Sequence, residues 1–156
     1  MTHFYVPWAE RNSQVEESVP PGTQWVDVRG SDLAYYEALT EIWGKGEDFA
    51  IIEHDVVIHD LVVEEFESCP EPWCVFGYDN MCHPECQEAW ANQLGCTRFR
   101  AELMEEVPDA LTSVPPGPLQ DWHNVCDGLG NNLRAVGYWH HWHTPHVGHH
   151  PWFTCR

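Results

Sequence analysis

Basic residues are scarce in this sequence. Its 156 residues include 7 lysines and arginines against 25 aspartates and glutamates, which gives a formal net charge of −18. A chain this acidic repels a polyanion at long range. Because it also has no basic stripe to overcome that repulsion, we expect no general binding of nucleic acid.

Long apolar runs are missing as well. No run approaches the roughly 20 residues that a membrane-spanning helix needs, so we expect no membrane span. The first residues, MTHFYVPWAER, lack the charged segment followed by an apolar one that marks a secretory signal. We therefore expect a cytoplasmic protein. Most of its seven cysteines should then be reduced, and their odd number argues against a complete disulfide framework.

What the sequence does contain is material for a core. Hydrophobic residues make up 43% of the chain and aromatic residues 13%, with nine tryptophans. That composition is typical of a globular protein, and the length suits one domain with a sizeable core. We predict a single compact domain over residues 1–156.

Apolar residues recur along the chain with the spacing of strands and of helices in turn. Strands are predicted at residues 3–7, 24–28, 49–58 and 72–78, a strand or turn at 96–99, and helices at 32–43, 59–69, 84–95, 100–107 and 121–137. Ser31 or Asp32 is suited to cap the first helix, and Gly137 to end the last. The alternation predicts an α/β fold in which a single, mostly parallel sheet is flanked by helices.

Two carboxylates and an imidazole interrupt the most apolar of these strands, at Glu53-His54-Asp55. Burying ionisable groups is costly unless they are paired or bound to a cation. Glu53 and Asp55 share a face of an extended chain, and two oxygen ligands suit Mg²⁺ or Mn²⁺. Ligands of parallel sheets bind at the carboxyl ends of strands, where this motif would lie. A solvated strand end is the alternative.

A second group of candidate metal ligands lies in CHPEC, from Cys82 to Cys86. Its close cysteine and histidine spacing could begin a zinc site, although Cys74 and Cys96 are irregularly spaced around it. Small buried thiols in a loop are the alternative. The C-terminal stretch WHHWHTPHVGHHP is either a metal-binding tract or a lid whose aromatic rings cover the sheet.

Three segments, in order, resemble the GT-A-fold glycosyltransferases. In FAIIEHDVVIHDLVVEEF…CVFGY an apolar strand enters an Asp-x-Asp-like motif, followed by more apolar residues, a short helix and another strand. LGCTRFRAELMEEVPD is similar to the acceptor-side segment, and VCDGLGNNLRAVG followed by HTPHVGH resembles the last helix and the closing metal histidine. The resemblance covers about residues 47–150 and implies a compact, Rossmann-like GT-A architecture, with segment 138–156 closing the active site.

The resemblance implies a metal centre built from residues far apart in the sequence. Asp55 would bind the metal directly, and Glu53 would contact the nucleotide ribose or a metal-bound water. His149 would be the distal metal ligand, with His146 and His143 as competitors that spacing does not separate.

It also implies roles for two carboxylates near the last helix. Asp127 would be the catalytic base that takes the proton of the acceptor hydroxyl. Asp121 is the alternative base, although a helix N-cap is the more ordinary role for it.

The donor would contact residues from three further segments. Pro7 and Trp8, at the end of the first predicted strand, and Asp27 would line the nucleotide base; a solvent-facing side chain is the alternative for Asp27. Arg98 and Arg100 would neutralise the diphosphate or hold the acceptor. The alternative for the two arginines is pairing with nearby glutamates, Glu102 or Glu105.

The sequence departs from the pattern of these enzymes at the metal motif, where a glutamate stands first and a histidine in the middle. The usual Glu-Asp pair appears as Cys126-Asp127, and the segment before the motif is short. The expected activity is inverting transfer of a sugar from a nucleotide-diphosphate sugar, with Mn²⁺ or Mg²⁺, to an acceptor that is a protein, a glycan or a modified base. A non-enzymatic zinc-binding protein and an acidic interaction module are the alternatives.

Overall fold

The computed structural model describes residues 1–78, 94–112, 114 and 122–149. Within these ranges the strands are β1 (His3–Trp8), β2 (Gln24–Asp27), β3 (Phe49–Ile52), β4 (Val56–Val57), β5 (Trp73–Tyr78), β6 (Cys96–Phe99) and β7 (His141–His149). The helices described are α1 (Ser13–Ser18), α2 (Ala34–Gly44), α3 (Leu61–Ser68), α4 (Ala101–Glu106) and α5 (Trp122–Ala135). The predicted helix at 84–95 falls mainly outside the described ranges, as do Cys82, Cys86 and Asp121.

The described strands form one mixed sheet in the order β2-β1-β3-β6-β5-β7-β4. β1 is parallel to β2 and β3, β6 is antiparallel to β3 and β5, β7 is parallel to β5, and β4 is antiparallel to β7. The predicted α/β class is confirmed, but the prediction of a mostly parallel sheet is wrong. A strand buried on both faces is apolar throughout whichever way it runs, so its pattern does not reveal its direction.

The predicted strand at 49–58 is two strands. β3 ends at Ile52, the chain turns through Glu53 to Asp55, and the Val56 amide closes the turn by donating to the Glu53 carbonyl at 2.9 Å. β4 then leaves β3 and pairs with β7 at the far end of the sheet. The polar triplet therefore lies in a turn between two apolar strands.

The core lies on both faces of the sheet. Because side chains alternate along a strand, Phe49 and Ile51 of β3 enter one apolar cluster, and Ala50 and Ile52 enter the other. Helices α2, α4 and α5 cover the first cluster, whereas α3 covers the second. The two buried faces hold the central strands rigidly, so they set the position of residues at the ends of those strands.

Three local predictions need correction. Neither Ser31 nor Asp32 caps α2; the N-cap is Leu33, whose amide donates to Ser31 Oγ at 3.2 Å. Helix α1 was not predicted, because it buries a single apolar residue, Val15, and one residue produces no periodicity. The histidine-rich segment contains a sheet strand, β7, that begins shortly after Gly137 ends α5 with a φ of +97°.

In the part of the chain that the structure describes, no helix combines the length and the apolar character needed to cross a bilayer.

Candidate functional site

The ends of several strands lie together along one edge of the sheet, the edge that runs across the strands. β1, β2 and β3 are parallel, so their carboxyl ends meet at this edge, where Trp8 pairs with Asp27 and Glu53 follows Ile52. β5 and β3 both run antiparallel to β6, and β7 is parallel to β5. His149, the last residue of β7, therefore reaches the same edge.

Asp55 and His149 form the centre of this edge. His149 Nε2 lies 3.1 Å from Asp55 Oδ2, and the two side chains are only 18% and 14% exposed. The contact follows from the strand register, because β4 begins one residue after Asp55 and Val56 is paired with His149. Asp55 Oδ1 is buried and has no hydrogen-bond partner among the described residues. A cation beside this carboxylate would satisfy that oxygen.

Glu53 brings a second carboxyl group to the same place. Burial and, to a smaller extent, the nearby Asp55 carboxylate raise the pKa of Glu53 to about 8, while a hydrogen bond from the Tyr35 hydroxyl acts in the opposite direction. That hydroxyl lies 3.4 Å from Glu53 Oε1. Two carboxyl groups this close do not both ionise without a compensating charge. Carboxylates and an imidazole are donor types that suit a divalent cation such as Mn²⁺. Among the described residues, however, three ligand atoms within 4.8 Å of one another are found only at Cys69, Cys74 and His143.

His54 joins the motif to the first strand. Its ring is buried close to the Pro7 backbone, near the end of β1. Burial lowers the pKa of His54, although Asp55 raises it, so the ring is held in its neutral form near pH 7. The turn is thereby held against β1.

The other two candidate histidines of β7 contact different parts of the molecule. His143 is buried, and its Nδ1 lies 3.3 Å from Glu65 of α3. His146 is exposed and lies over Gly77 of β5, where a Cβ atom would come within 3.0 Å of His146 Nε2. Of the three candidate histidines, the structure places His149 beside Asp55, whereas sequence spacing did not separate it from His146 and His143.

Arg98 and Arg100 lie at the opposite edge of the sheet. β6 runs antiparallel to β3, so Arg98 pairs with Ala50 near the beginning of β3. Its guanidinium is buried and donates to backbone carbonyls of Glu71 and Cys69, at 2.7 and 2.9 Å. Arg100 pairs with Asp48 at 3.3 Å and not with the predicted glutamates. This placement gives no support to the predicted contact with a diphosphate.

Asp127 is exposed in the first half of α5. The preceding residue, Cys126, is buried, and the charge of Glu53 contributes to raising the pKa of the Cys126 thiol. The beginning of α5 therefore lies against the Glu53 end of β3. This places the candidate base on a helix next to the candidate metal centre.

Sequence reasoning missed a cluster of cations and aromatic rings at the ends of β1 and β2. The Arg29 guanidinium lies 4.2 Å from the Trp8 ring centroid, and that of Arg11 lies 3.8 Å from the Trp25 centroid. Arg29 also donates to Asp27 at 2.6 Å, and these hydrogen bonds lower the pKa of Asp27 to about 2. The sequence did offer a signal for this cluster, because two of its few arginines follow the predicted strands that contain or precede these tryptophans.

A small apolar crevice lies between the parallel strands and α2, on the opposite face of the sheet from the Trp8 and Trp25 rings. Its lining residues come from β1, β2, β3 and α2 and are mainly apolar: Tyr5, Pro7, Val26, Tyr35, Ala38, Leu39, Ile42 and Ile51. The predicted base-binding residue Pro7 belongs to it, and so does Tyr35, which contacts Glu53. The crevice therefore adjoins the candidate metal centre.

No protein-family model matches this chain, and neither the curated proteins nor the solved structures provide a match. The functional conclusion therefore depends on the geometry of the site and on the order of the sequence motifs.

Proposed function

We propose that this protein is a metal-dependent glycosyltransferase that moves a sugar from a nucleotide-diphosphate sugar to an acceptor hydroxyl. The observation that carries the proposal is the 3.1 Å contact between Asp55 and His149. These residues come from distant parts of the sequence, and their meeting is what the resemblance to GT-A-fold enzymes implies for a shared metal. Glu53, His54 and the beginning of α5 surround them.

Asp55, His149 and Glu53 would hold the metal, Mn²⁺ or Mg²⁺. Their oxygens and one imidazole nitrogen suit such ions, and the buried, unsatisfied Asp55 Oδ1 leaves a coordination position for one. When bound, the metal would act as a Lewis acid for the charge that develops on the leaving diphosphate. Asp55 is held in place by its neighbour His149, and Glu53 by the Tyr35 hydroxyl.

The order of the elements supports the same proposal. An apolar strand, β3, leads into Glu53-His54-Asp55, and then come the short strand β4, the short helix α3 and the strand β5. A long helix, α5, precedes the strand that ends in His149. This is the order in which the resembling enzymes present their metal motif, last helix and closing histidine.

The donor nucleotide would lie along the carboxyl ends of β1 and β2. Pro7 lines the apolar crevice on one face of the sheet, and the Trp8 ring offers aromatic surface for a base on the other face. Arg29 and Arg11, which contact the Trp8 and Trp25 rings, are the cations of this edge. Both are paired with carboxylates, Arg29 with Asp27 and Arg11 with Glu16, so neutralising a diphosphate would require them to exchange those partners for it.

Asp127 would act as the general base of the reaction. Its exposed carboxylate would take the proton of the acceptor hydroxyl as that oxygen bonds to the anomeric carbon. The bond from that carbon to the diphosphate oxygen breaks, and the diphosphate leaves with the electron pair. A single displacement of this kind inverts the anomeric centre.

Thermal melting tests the proposal directly. Protein desalted into metal-free buffer is melted with Mn²⁺, with UDP or GDP, and with metal and nucleotide together. A ligand that binds only the folded state adds about 2.7 kcal/mol of stability at 100 times its Kd. We expect a rise in Tm of several degrees that requires metal and nucleotide together.

Asp55→Ala should remove this joint shift, whereas Asp60→Ala, at the exposed aspartate that precedes α3, should keep it. An unchanged joint shift in Asp55→Ala would refute the metal assignment. The absence of any nucleotide-dependent shift in the unmodified protein would refute the glycosyltransferase itself.

A further inference from the structure

A second group of metal-binding side chains lies away from the edge that carries Asp55 and His149. Cys69 follows the last residue of α3, Cys74 is near the beginning of β5, and His143 is in the first half of β7. All three are buried, and their ligand atoms lie within 4.8 Å of one another. Three elements that are separate in the sequence thus present two thiols and an imidazole to one point.

His143 has the orientation of a metal ligand. Its Nδ1 lies 3.3 Å from Glu65 Oε2, and its ring stacks on Phe76 at 4.9 Å. Nε2 is buried and has no hydrogen-bond partner among the described residues. Burial lowers the pKa of His143, and so does the charge of His141, whereas the Glu65 carboxylate raises it. A neutral imidazole that donates from Nδ1 to a carboxylate presents the lone pair of Nε2.

The two thiols lie beside a buried positive charge. The Arg98 guanidinium donates to the Cys69 carbonyl at 2.9 Å, and its charge favours the thiolate form of Cys74. Burial acts the other way and raises the pKa of the Cys74 thiol well above its ordinary value. The Arg98 charge stabilises a Cys74 thiolate formed on binding a cation.

We propose that Cys69, Cys74 and His143 bind a zinc ion, with Glu65 as the positioning residue for His143. Two thiolates and an imidazole are the soft and borderline ligands that zinc prefers. Zinc–sulfur distances of about 2.3 Å place tetrahedral ligand atoms roughly 3.6–3.8 Å apart, so the ligand atoms need to approach by at most about 1 Å. The ion joins the end of α3 to β5 and β7.

This site is independent of the proposed glycosyl transfer. It lies in the cluster covered by α3, and it shares no ligand with the Asp55 centre. Three protein ligands leave a fourth tetrahedral position for a water molecule, and the ion joins three elements at a buried point. A zinc ion here also helps to hold β7, whose last residue is His149.

The first test compares Glu65→Gln with Glu64→Gln. Affinity is measured by competition for Zn²⁺ with a chromophoric chelator, in reduced protein. Loss of a carboxylate that orients a metal-binding histidine typically weakens affinity 10–100-fold, so we expect that change in Glu65→Gln. Glu64 is exposed on the same helix and should behave as the unmodified chain does. Equal affinity in the two variants would overturn the role of Glu65.

The second test identifies the thiolates. Co²⁺ replaces zinc, and sulfur-to-cobalt absorption reports the bound cysteines. Cys74→Ser should lose that absorption, whereas Cys126→Ser, at a thiol buried in the other core cluster, should retain it. Cys126→Ser also controls for the general cost of placing a hydroxyl in the core.

The alternative is that the zinc is bound by the CHPEC cysteines, Cys82 and Cys86. A variant with both Cys82→Ser and Cys86→Ser should keep the zinc and the cobalt absorption, and so should Asp55→Ala. Loss of binding in the Cys82/Cys86 variant together with retention in Cys74→Ser would overturn the proposal. Failure of the unmodified, reduced protein to bind one equivalent of Zn²⁺ would overturn it as well.

Discussion

Glu53 is a carboxyl group whose ionised form is disfavoured both by burial and by a neighbouring carboxylate. Burial first, and the Asp55 carboxylate second, raise the pKa of Glu53 from 4.5 to about 8. The folded protein therefore keeps this proton at pH values where the unfolded chain has lost it. The stability that the proton contributes is complete below pH 4.5 and is lost as the pH rises through 8.

Glu53→Gln should therefore stabilise the metal-free protein at alkaline pH. Glutamine keeps the shape of the protonated carboxyl and cannot ionise, so the advantage of the variant grows as the pH rises from 4.5 to 8. A difference in the free energy of unfolding on the order of a few kcal/mol is expected at pH 8.5. Urea unfolding at several pH values measures it.

Glu17→Gln, at an exposed glutamate of α1, serves as the control and should show no such trend. If the stabilities of Glu53→Gln and the unmodified protein follow parallel curves against pH, Glu53 is ionised in the fold and the account of its pKa is wrong. The comparison also bears on the metal centre, because a bound cation would favour the ionised form and reduce the difference.

Arg98 and His149 illustrate how far single residues can be interpreted from sequence. Arg98 is a cation in an apolar strand, which the sequence reveals, but only the antiparallel direction of β6 places it at the edge away from Glu53. His149 was the expected ligand, with His146 and His143 as competitors that spacing did not separate, and the pairing of β4 with β7 brings His149 to Asp55. In both cases the residue type was informative and the location was not.

At the scale of elements, α5 packs against the chain near Val114 through a glycine. A Cβ atom at Gly128 would lie 2.6 Å from Val114 Cγ1 and 2.9 Å from Cγ2. Both are branched methyl groups in a buried side chain, so they have little freedom to move aside. The glycine thus permits a close approach between α5 and the segment after α4.

Gly128→Ala should destabilise the protein. Overpacking costs about 1–3 kcal/mol, and the better helix propensity of alanine returns about 1 kcal/mol, so a net loss of roughly 1 kcal/mol is expected. Denaturant unfolding measures the loss. Adding Val114→Ala to the same chain should reduce the effect of the Gly128 substitution, because the clashing methyl groups are gone.

Gly44→Ala is the matched control at the end of α2, where a Cβ atom would meet nothing within 4 Å. That variant should be as stable as the unmodified protein or slightly more so. A Gly128→Ala variant that gains stability to the same extent would contradict the close approach of α5.

The last strand shows why one element was missed. Only His143 and Val147 of β7 are buried, and these are four residues apart. A strand is recognised by alternation, and this segment also contains Pro145 and Gly148, which are uncommon in strands. Pairing with β5 on one side and β4 on the other makes it a strand in spite of its composition.

At the scale of the whole molecule, the dominant feature is charge. A formal net charge of −18 on 156 residues implies repulsion between like charges throughout the compact state. The few basic residues that the structure describes are largely used in local pairs, such as Arg29 with Asp27 and Arg11 with Glu16. Unfolding relieves the remaining repulsion by moving the carboxylates apart.

Added salt should therefore stabilise the fold. Between about 20 and 300 mM NaCl the Debye length falls well below the distances across the molecule, so we expect Tm to rise and then level off. Differential scanning calorimetry in metal-free buffer measures the change. A Tm that is constant or falls over this range would show that local ion pairs outweigh the overall repulsion.

The sequence by itself determined the α/β class, most of the element positions and the unusual character of Glu53-His54-Asp55. These follow from local pattern: apolar spacing defines β1, β3 and α2, and ionisable residues inside an apolar run stand out because burial is costly. It also indicated that a histidine near the C-terminus would join this motif.

Only the tertiary structure decided strand direction and contacts between distant residues. Because β6 runs antiparallel to β3, Arg98 lies at the edge of the sheet away from Glu53. The register of β4 on β7 places His149 beside Asp55. The tertiary structure also brings together Cys69, Cys74 and His143, whose spacing in the sequence matches no metal-binding motif. Such contacts depend on how strands pair across the sheet, and the local pattern of a buried strand is the same for either direction of pairing.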